Sequence, residues 1–410
     1  MSGWPRKRLS DVADLCLGKM LDQKKNKGVP LPYLGNSNVR WGTIDLDDLK
    51  EMRFEDRELD RYGLQEGDIV MCEGGEPGRC ALWTGQTTAM MIQKALHRIR
   101  PNDGVDSRFL FYTLFQNGRS GGFDAYFTGA TIKHLPGEQL AKIEVALPPF
   151  KVQRHIAGIL GAYDELIEVN RRRVSVLEKM ARGLFEEWFI RLRFPGYDPA
   201  TSVDQLPKGW CFASIGQLGS VVTGKTPSKS DQTNFGNDVL FVKIPDMHQS
   251  MFILNTVDKL SSHGALSQGN KTVRPGSLCV SCIGTVGLVS ITTTHSQTNQ
   301  QINTLIPNNP IWLEFLYQTF LDLKQQLNSL GSSGATMTNV SKHKFASIII
   351  KCPPDHIVSR YHEQAAPMLN LIASLSLANQ RLAASRDFLL PRLMSGQLSV
   401  APAERESEAA

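Results

Sequence analysis

Among the 410 residues, a few short strings have the residue types and spacing that chemistry uses. Gly219-Ser-Val-Val-Thr-Gly224-Lys225-Thr226 has the outline of a phosphate cradle, in which backbone amides and a helix N-terminus converge on an anion. Such a cradle needs an apolar helix starting at its Gly-Lys-Thr. Pro227 and the polar run SKSDQTNFGND follow instead, which predicts that Lys225 is a loop cation and not a nucleotide ligand. Cys279-x-x-Cys282 has metal-ligand spacing, but a structural zinc takes four ligands, and Cys16, Cys72, Cys80, Cys211 and Cys352 are scattered. The pair stands inside the apolar, strand-like run SLCVSCIGTVGLVSI and reads as buried thiols in a reducing compartment. Asp48-x-Lys50 and Asp322-x-Lys324 end like a nuclease core but have no suitably spaced Pro-Asp upstream. His134 and His343 stand near loops matched between the two halves of the chain, where a polar role fits better than that of a general base.

Leu147-Pro148-Pro149-Phe150 has the outline of the N-P-P-F/Y loop of amino-methyltransferases, yet Leu147 cannot accept the hydrogen bond that loop makes to the amino group under attack. The second copy reads Cys352-Pro-Pro-Asp355, and both Pro-Pro pairs are better taken as stiff helix leaders. A non-enzymatic chain is expected. What remains are loop groups suited to nucleic acid: Lys19, Arg40, Trp41, Arg79, Thr131 and Lys133 in the first half, and Lys225, Lys229, Thr336, Thr338, Asn339, Lys342 and Lys344 in the second. Arginine and lysine pair with phosphates or guanine, and asparagine and threonine with base edges, while glycine lets the backbone come close.

The elements that must carry these loops are repeated. Trp4, Leu9 and Gly18-Lys19 answer Trp210, Ile215 and Gly224-Lys225, and GDIVMCEGGEPGR answers PGSLCVSCIGTVGL with Gly75 and Gly78 matched to Gly284 and Gly287. GATIKHL at 129–135 matches GATMTNV at 334–340. Each half therefore predicts glycine-broken strands, a short helix, a GAT loop and a last strand, an α+β globule read twice. Each globule feeds a long helix. From Pro148 to Phe194 the residues Ile156, Leu160, Tyr163, Ile167, Asn170, Val174, Leu177, Ala181, Leu184 and Trp188 recur by threes and fours, a heptad seam that calls for a partner helix. At about 1.5 Å per residue such a rod is roughly 60 Å long, a spacer between domains. The expected domains are globules at 1–147 and 210–352, spacer helices at 148–194 and 353–396, a linker at 195–209 and a disordered tail at 397–410.

The first helix leads from the first globule to the second, and the second helix begins where the second globule ends, so antiparallel packing is predicted. One asparagine stands in each seam, Asn170 and Asn379, and an amide buried there is tolerated best against the other. That pairing fixes the register: Ile156 with Leu393, Leu160 with Leu389, Ile167 with Leu382, Val174 with Leu375, Leu177 with Ile372, Ala181 with Met368, Leu184 with Ala365 and Trp188 with Tyr361. Tyr163 falls opposite Arg386, where the ring can stack on the guanidinium, and Pro367 predicts a kink.

The net charge of +5 is mild, so local clusters such as Arg6-Lys7-Arg8 and Lys24, Lys25 and Lys27 matter more than the total. No apolar run approaches the ~20 residues that cross a bilayer, and MSGWPRKRLSDV lacks a signal-peptide core. A cytoplasmic location is expected.

The tryptophan-led openings ending in Gly-Lys, the GAT loops followed by Ile/Val-x-x-Pro-Pro, and the closing Arg386-Asp-Phe-Leu-Leu-Pro391-Arg-Leu-Met-Ser-Gly396-Gln-Leu resemble the specificity subunits of type I restriction-modification systems. The resemblance covers essentially the whole chain. It implies two tandem target recognition domains, each reading one half of a bipartite site in double-stranded DNA, joined by two long helices in an antiparallel coiled coil. It also implies a chain without catalytic activity or cofactor of its own, assembled with two DNA adenine methyltransferase subunits that bring S-adenosylmethionine and, where restriction is present, motor-nuclease subunits using ATP and magnesium. Ile159, Leu166 and Met180, joined by Phe185 and Phe189, add a second apolar line beside the seam, which helices of other subunits would bury. The competing expectations are a DNA methyltransferase with its own recognition domain and a structural coiled-coil scaffold.

Overall fold

The computed structural model describes residues 3–22, 26–87, 89–196, 206–248, 250–331 and 338–398. Lys24, Lys25, most of the expected linker (197–205) and most of the expected tail (399–410) lie outside the described residues. The chain forms two compact units, Met1–Ile167 with Arg381–Ala410, and Glu168–Gln380. Mixed helix and sheet builds both.

Unit 1 centres on a four-stranded antiparallel sheet whose order is Ala13–Leu17, Leu96–Pro101, Ile69–Cys72, Cys80–Leu82. Helix Ser107–Arg119 packs on it. Asp106 caps that helix by accepting the Phe109 amide at 2.9 Å, and the run Phe109 to Phe115 is buried in the same core as Ile69, Met71 and Ile99. A second, three-stranded sheet sets Val29–Leu34 between Lys50–Phe54 and Met91–Ile92, with Met52, Phe54 and Met91 buried in it. A short ladder of Arg6–Arg8 with Glu144–Ala146 then delivers the chain to Pro148-Pro149 and the first long helix, Phe150–Phe185. The proline pair does lead the helix, with Pro149 O accepting the amides of Val152 and Gln153. Ile156, Ala157 and Leu160 of this helix share the unit 1 core with Leu390 and Leu393 of the second long helix, Asp355–Met394.

Unit 2 repeats the plan. A five-stranded sheet has the order Gly219–Thr223, Ile302–Pro307, Leu278–Ser281, Val289–Thr292, Phe252–Ile253, with Val289–Thr292 and Phe252–Ile253 parallel. Helix Leu313–Asp322 covers it, and the ladder Cys211–Ser214 with Ile349–Cys352 leads to Pro353-Pro354. Thr304 donates to the Cys279 sulfur at 3.6 Å, and burial pushes the Cys279 and Cys282 thiols up to about 12 and about 11, so both stay protonated thiols at neutral pH.

Within unit 2 the two seam asparagines meet: Asn170 Nδ2 donates to Asn379 Oδ1 at 2.9 Å. The rings of Trp188 and Tyr361 lie 5.9 Å apart, as the same register requires. The second long helix passes through Pro367 as one unbroken 40-residue element, so the proline does not end it and the Trp188 layer is kept. Tyr163 and Arg386 depart from expectation. Arg386 instead pairs with Asp164 and Asp387, whose carboxylates neutralise the half-buried guanidinium, and its ring contact is with Phe115 at 5.8 Å. After Phe185 the helix widens into a π-type turn, Glu186–Ile190. Phe185 and Phe189 are only 3% and 8% exposed, packed against Phe315 of helix Leu313–Asp322, with Phe189 also 4.9 Å from Tyr361. They belong to the core of unit 2 and are not a free partner-binding face. Ile159, Leu166 and Met180 are exposed by 40%, 45% and 51%, and Val169 and Val176 of the same helix are also exposed.

Candidate nucleic-acid interface

In unit 1, three segments meet at one edge of the four-stranded sheet. The first is the glycine-rich loop that joins strands Ile69–Cys72 and Cys80–Leu82. The second is the GAT loop, closed as a tight hairpin by reciprocal backbone bonds between Thr128 and His134 at 2.8 and 2.9 Å. The third is the turn Gln93-Lys94-Ala95, where Ala95 holds a φ of 111°. Glu73 ties them together: its amide donates to Ala95 O at 2.8 Å and its carbonyl accepts the Leu135 amide at 2.7 Å. Gly74 bridges to His134, and a Cβ at position 74 would sit 2.8 Å from the imidazole Nδ1, so a larger residue there would have to displace the His134 ring.

Unit 2 builds the same edge from different side chains. Cys282 takes the place of Glu73, its amide donating to Gln301 O at 2.8 Å and its carbonyl accepting the Val340 amide at 2.9 Å. Ile283 bridges to Asn339, and Gly284, at φ 77°, donates to Thr338 O at 3.2 Å. The would-be phosphate cradle is occupied by its own sheet: the amides of Gly224 and Lys225 donate to Ile302 O and Thr298 O, and Thr226 donates its hydroxyl to Gln300 at 2.7 Å. Those amides cannot also converge on a phosphate.

The structure treats the candidate side chains unequally. Arg40, Thr131 and Lys133 are exposed in unit 1, with Lys133 lying 5.6 Å from the Phe127 ring centre. Trp41 is half-buried, edge-on to Phe115 at 5.6 Å, and donates to Glu76 at 2.6 Å. Arg79 is mostly engaged, donating to Glu76 at 2.8 Å and to Asn36 O at 2.9 Å. Lys19 is a correction. It is 4% exposed, donating to Arg53 O at 2.8 Å and Glu58 at 2.6 Å with the Phe54 ring 5.0 Å away, so it holds the two sheets of unit 1 together and offers no charge to a ligand. Its counterpart Lys225 is exposed, as are Lys229, Asn339, Lys342 and Lys344, the last donating to Leu330 O at 2.9 Å; Thr338 is half-buried. Thr336 lies outside the described residues. Asn36, Glu76, Lys94, Gln300 and Gln301 also line these edges and were not legible as candidates, because no motif marks a turn whose neighbours come from distant strands.

An α+β globule is built twice, and each copy presents glycine-spaced loops with exposed cations and amides, the groups that nucleic-acid readers use. The comparisons with known proteins agree. The family described as the type I restriction modification DNA specificity domain matches residues 1–179 and again 207–383. The specificity subunit of the type I restriction enzyme HindI from Haemophilus influenzae is 31% identical, with 97% of this chain and 100% of that protein covered. The MjaIX specificity subunit from Methanocaldococcus jannaschii is 23% identical, with 97% and 94% covered. A crystal structure of the type I restriction-modification S subunit from M. genitalium shares the fold with a TM-score of 0.60 at 15% identity, over 95% and 96% of the two chains. The chain belongs to the family of type I restriction-modification specificity subunits, and DNA target recognition by two domains is its function.

Proposed function

We propose that each unit reads one half of a bipartite duplex target through the edge described above, and that the chain itself performs no catalysis. The observation that carries this is the duplicated edge: the same backbone bonds, Glu73 to Ala95 and Leu135, and Cys282 to Gln301 and Val340, support different side chains in the two units. A shared scaffold with divergent tips is what reading two different base sequences requires. Arg40, Thr131 and Lys133 contact DNA in unit 1, and Lys225, Lys229, Thr338, Asn339, Lys342 and Lys344 in unit 2. Thr336 keeps its place in this proposal from the GAT sequence.

The two long helices pair antiparallel as a coiled-coil ruler that sets the spacing of the half-sites, supported by the Asn170 to Asn379 hydrogen bond. The exposed Ile159, Leu166 and Met180 dock two DNA adenine methyltransferase subunits, which bring S-adenosylmethionine; motor-nuclease subunits with ATP and magnesium complete the assembly where restriction occurs. The work is cytoplasmic. Among the described residues no helix is long and apolar enough to cross a membrane. The globules at 1–147 and 210–352 are the recognition domains and 148–194 and 353–396 the spacers. Mapping methylated adenines across the host genome, with and without this gene, tests the proposal. A split motif that vanishes with the gene is expected, and an unchanged methylation pattern would remove the basis for it.

A further inference from the structure

Both units bury one polar side chain at the same place, against the residue that closes the GAT sequence. His97 sits in the central strand Leu96–Pro101, opposite Leu17 on one side and Met71 on the other, and is 1% exposed. Its Nε2 lies 2.8 Å from Leu135 O, and a carbonyl only accepts, so this nitrogen carries the proton. Burial, partly offset by that bond, lowers the His97 pKa, which keeps the ring neutral. Asn303 sits in the matching strand Ile302–Pro307, opposite Thr223 and Val280, and is 2% exposed. Its Nδ2 donates to Val340 O at 3.1 Å, while Thr223 donates to its Oδ1 at 2.6 Å and fixes which way the amide faces. Leu135 and Val340 are the residues that close the two GAT sequences, and their amides are held by Glu73 O and Cys282 O. Each stem residue is thereby gripped at both its amide and its carbonyl.

We propose that His97 and Asn303 are positioning residues for DNA reading, each pinning the loop of its own unit through a single backbone carbonyl so that Thr131 and Lys133, or Thr338 and Asn339, meet the bases at a fixed height. The sequence gives no hint of this, since histidine and asparagine share no motif and the bonded partners lie 38 and 37 residues away. Two chemically different donors serving one carbonyl position argue that the hydrogen bond itself is retained and the side chain is free to vary. A buried polar group placed only to fill the sheet would have no reason to aim at the same loop stem twice.

This rests on the proposed reading of bases by the two units, and the test separates the two. The chain, assembled with its methyltransferase partner, is assayed for initial methylation rate on duplexes carrying the mapped site and its single-base variants. H97L is expected to lower discrimination about tenfold at bases of one half-site and to leave the other half unchanged, with N303L doing the converse. H97N, which restores a donor of the kind unit 2 uses, is expected to return discrimination to the wild-type value. Full discrimination in H97L and N303L, loss in both halves from either change, or an H97N that behaves as H97L would overturn the inference. If H97L does not assemble, N303L and its rescue by N303H carry the same comparison on the other half. A wild-type assembly that discriminates no bases would instead overturn the reading on which the inference rests.

Discussion

Lys19 and Lys225 follow the same Gly-Lys pattern, yet one is locked between Glu58 and Arg53 O while the other faces solvent. The difference lies in what each unit folds over the lysine, which a local motif does not encode. K19M is therefore expected to destabilise unit 1 by about 1 to 2 kcal/mol, since it removes the hydrogen bonds to Arg53 O and to the partly exposed Glu58; urea unfolding measures this. K225M and K133M should leave stability within about 0.5 kcal/mol. Each should weaken DNA binding and lower the slope of log affinity against log salt by about 1 if it neutralises one phosphate. A K19M chain of unchanged stability, or a K225M complex with an unchanged salt slope, would reassign those side chains. Acid should reveal another residue. Burial works to raise the Asp387 pKa, but its bonds from Arg386 and Arg119 outweigh this and hold it below the ordinary 3.8. Its pairing thus contributes stability above the ordinary value, and that contribution is lost as pH falls through the folded-state value. D387N should unfold with a shallower loss of stability across that acid range, and an identical acid profile would count against the pairing.

At the scale of elements, periodicity carried most of the information. The heptad seam runs through both long helices, Phe150–Phe185 and Asp355–Met394, and its two asparagines hydrogen-bond to each other. N170L should reduce stability by about 1 kcal/mol, because it takes one partner from a mostly buried amide pair. N170L with N379L should recover that loss while relaxing the register, which cysteine cross-linking along the seam would report. A double variant as unstable as the single one would mean that the amides do not act as a pair. The same periodicity could not say which second-stripe residues were already covered. Phe185 and Phe189 looked equivalent to Met180, but helix Leu313–Asp322 of unit 2 lies over them. F189A should accordingly reduce stability by about 3 to 5 kcal/mol through a cavity. M180S should leave stability nearly unchanged and weaken capture of the proposed methyltransferase subunits, with the two effects separated by denaturant unfolding and by pull-down of the purified partner.

For the whole molecule, internal repetition made the architecture legible before any single motif was, since matched glycines, GAT runs and Pro-Pro leaders fixed two globules and two helices in order. What stayed hidden was the edge that assembles only in three dimensions, where the Gln93–Ala95 turn and the pins at His97 and Asn303 come from strands far apart in sequence. Independence of the two units, each proposed to read half of one target, is what makes the molecule modular. It is tested most directly by exchanging residues 210–347 for the matching block of another family member and sequencing the methylated sites made by the assembled complex. The expected motif has one half-site changed to that of the donor, with the other half and the spacing between them kept; a motif altered in both halves would show that the units do not read independently.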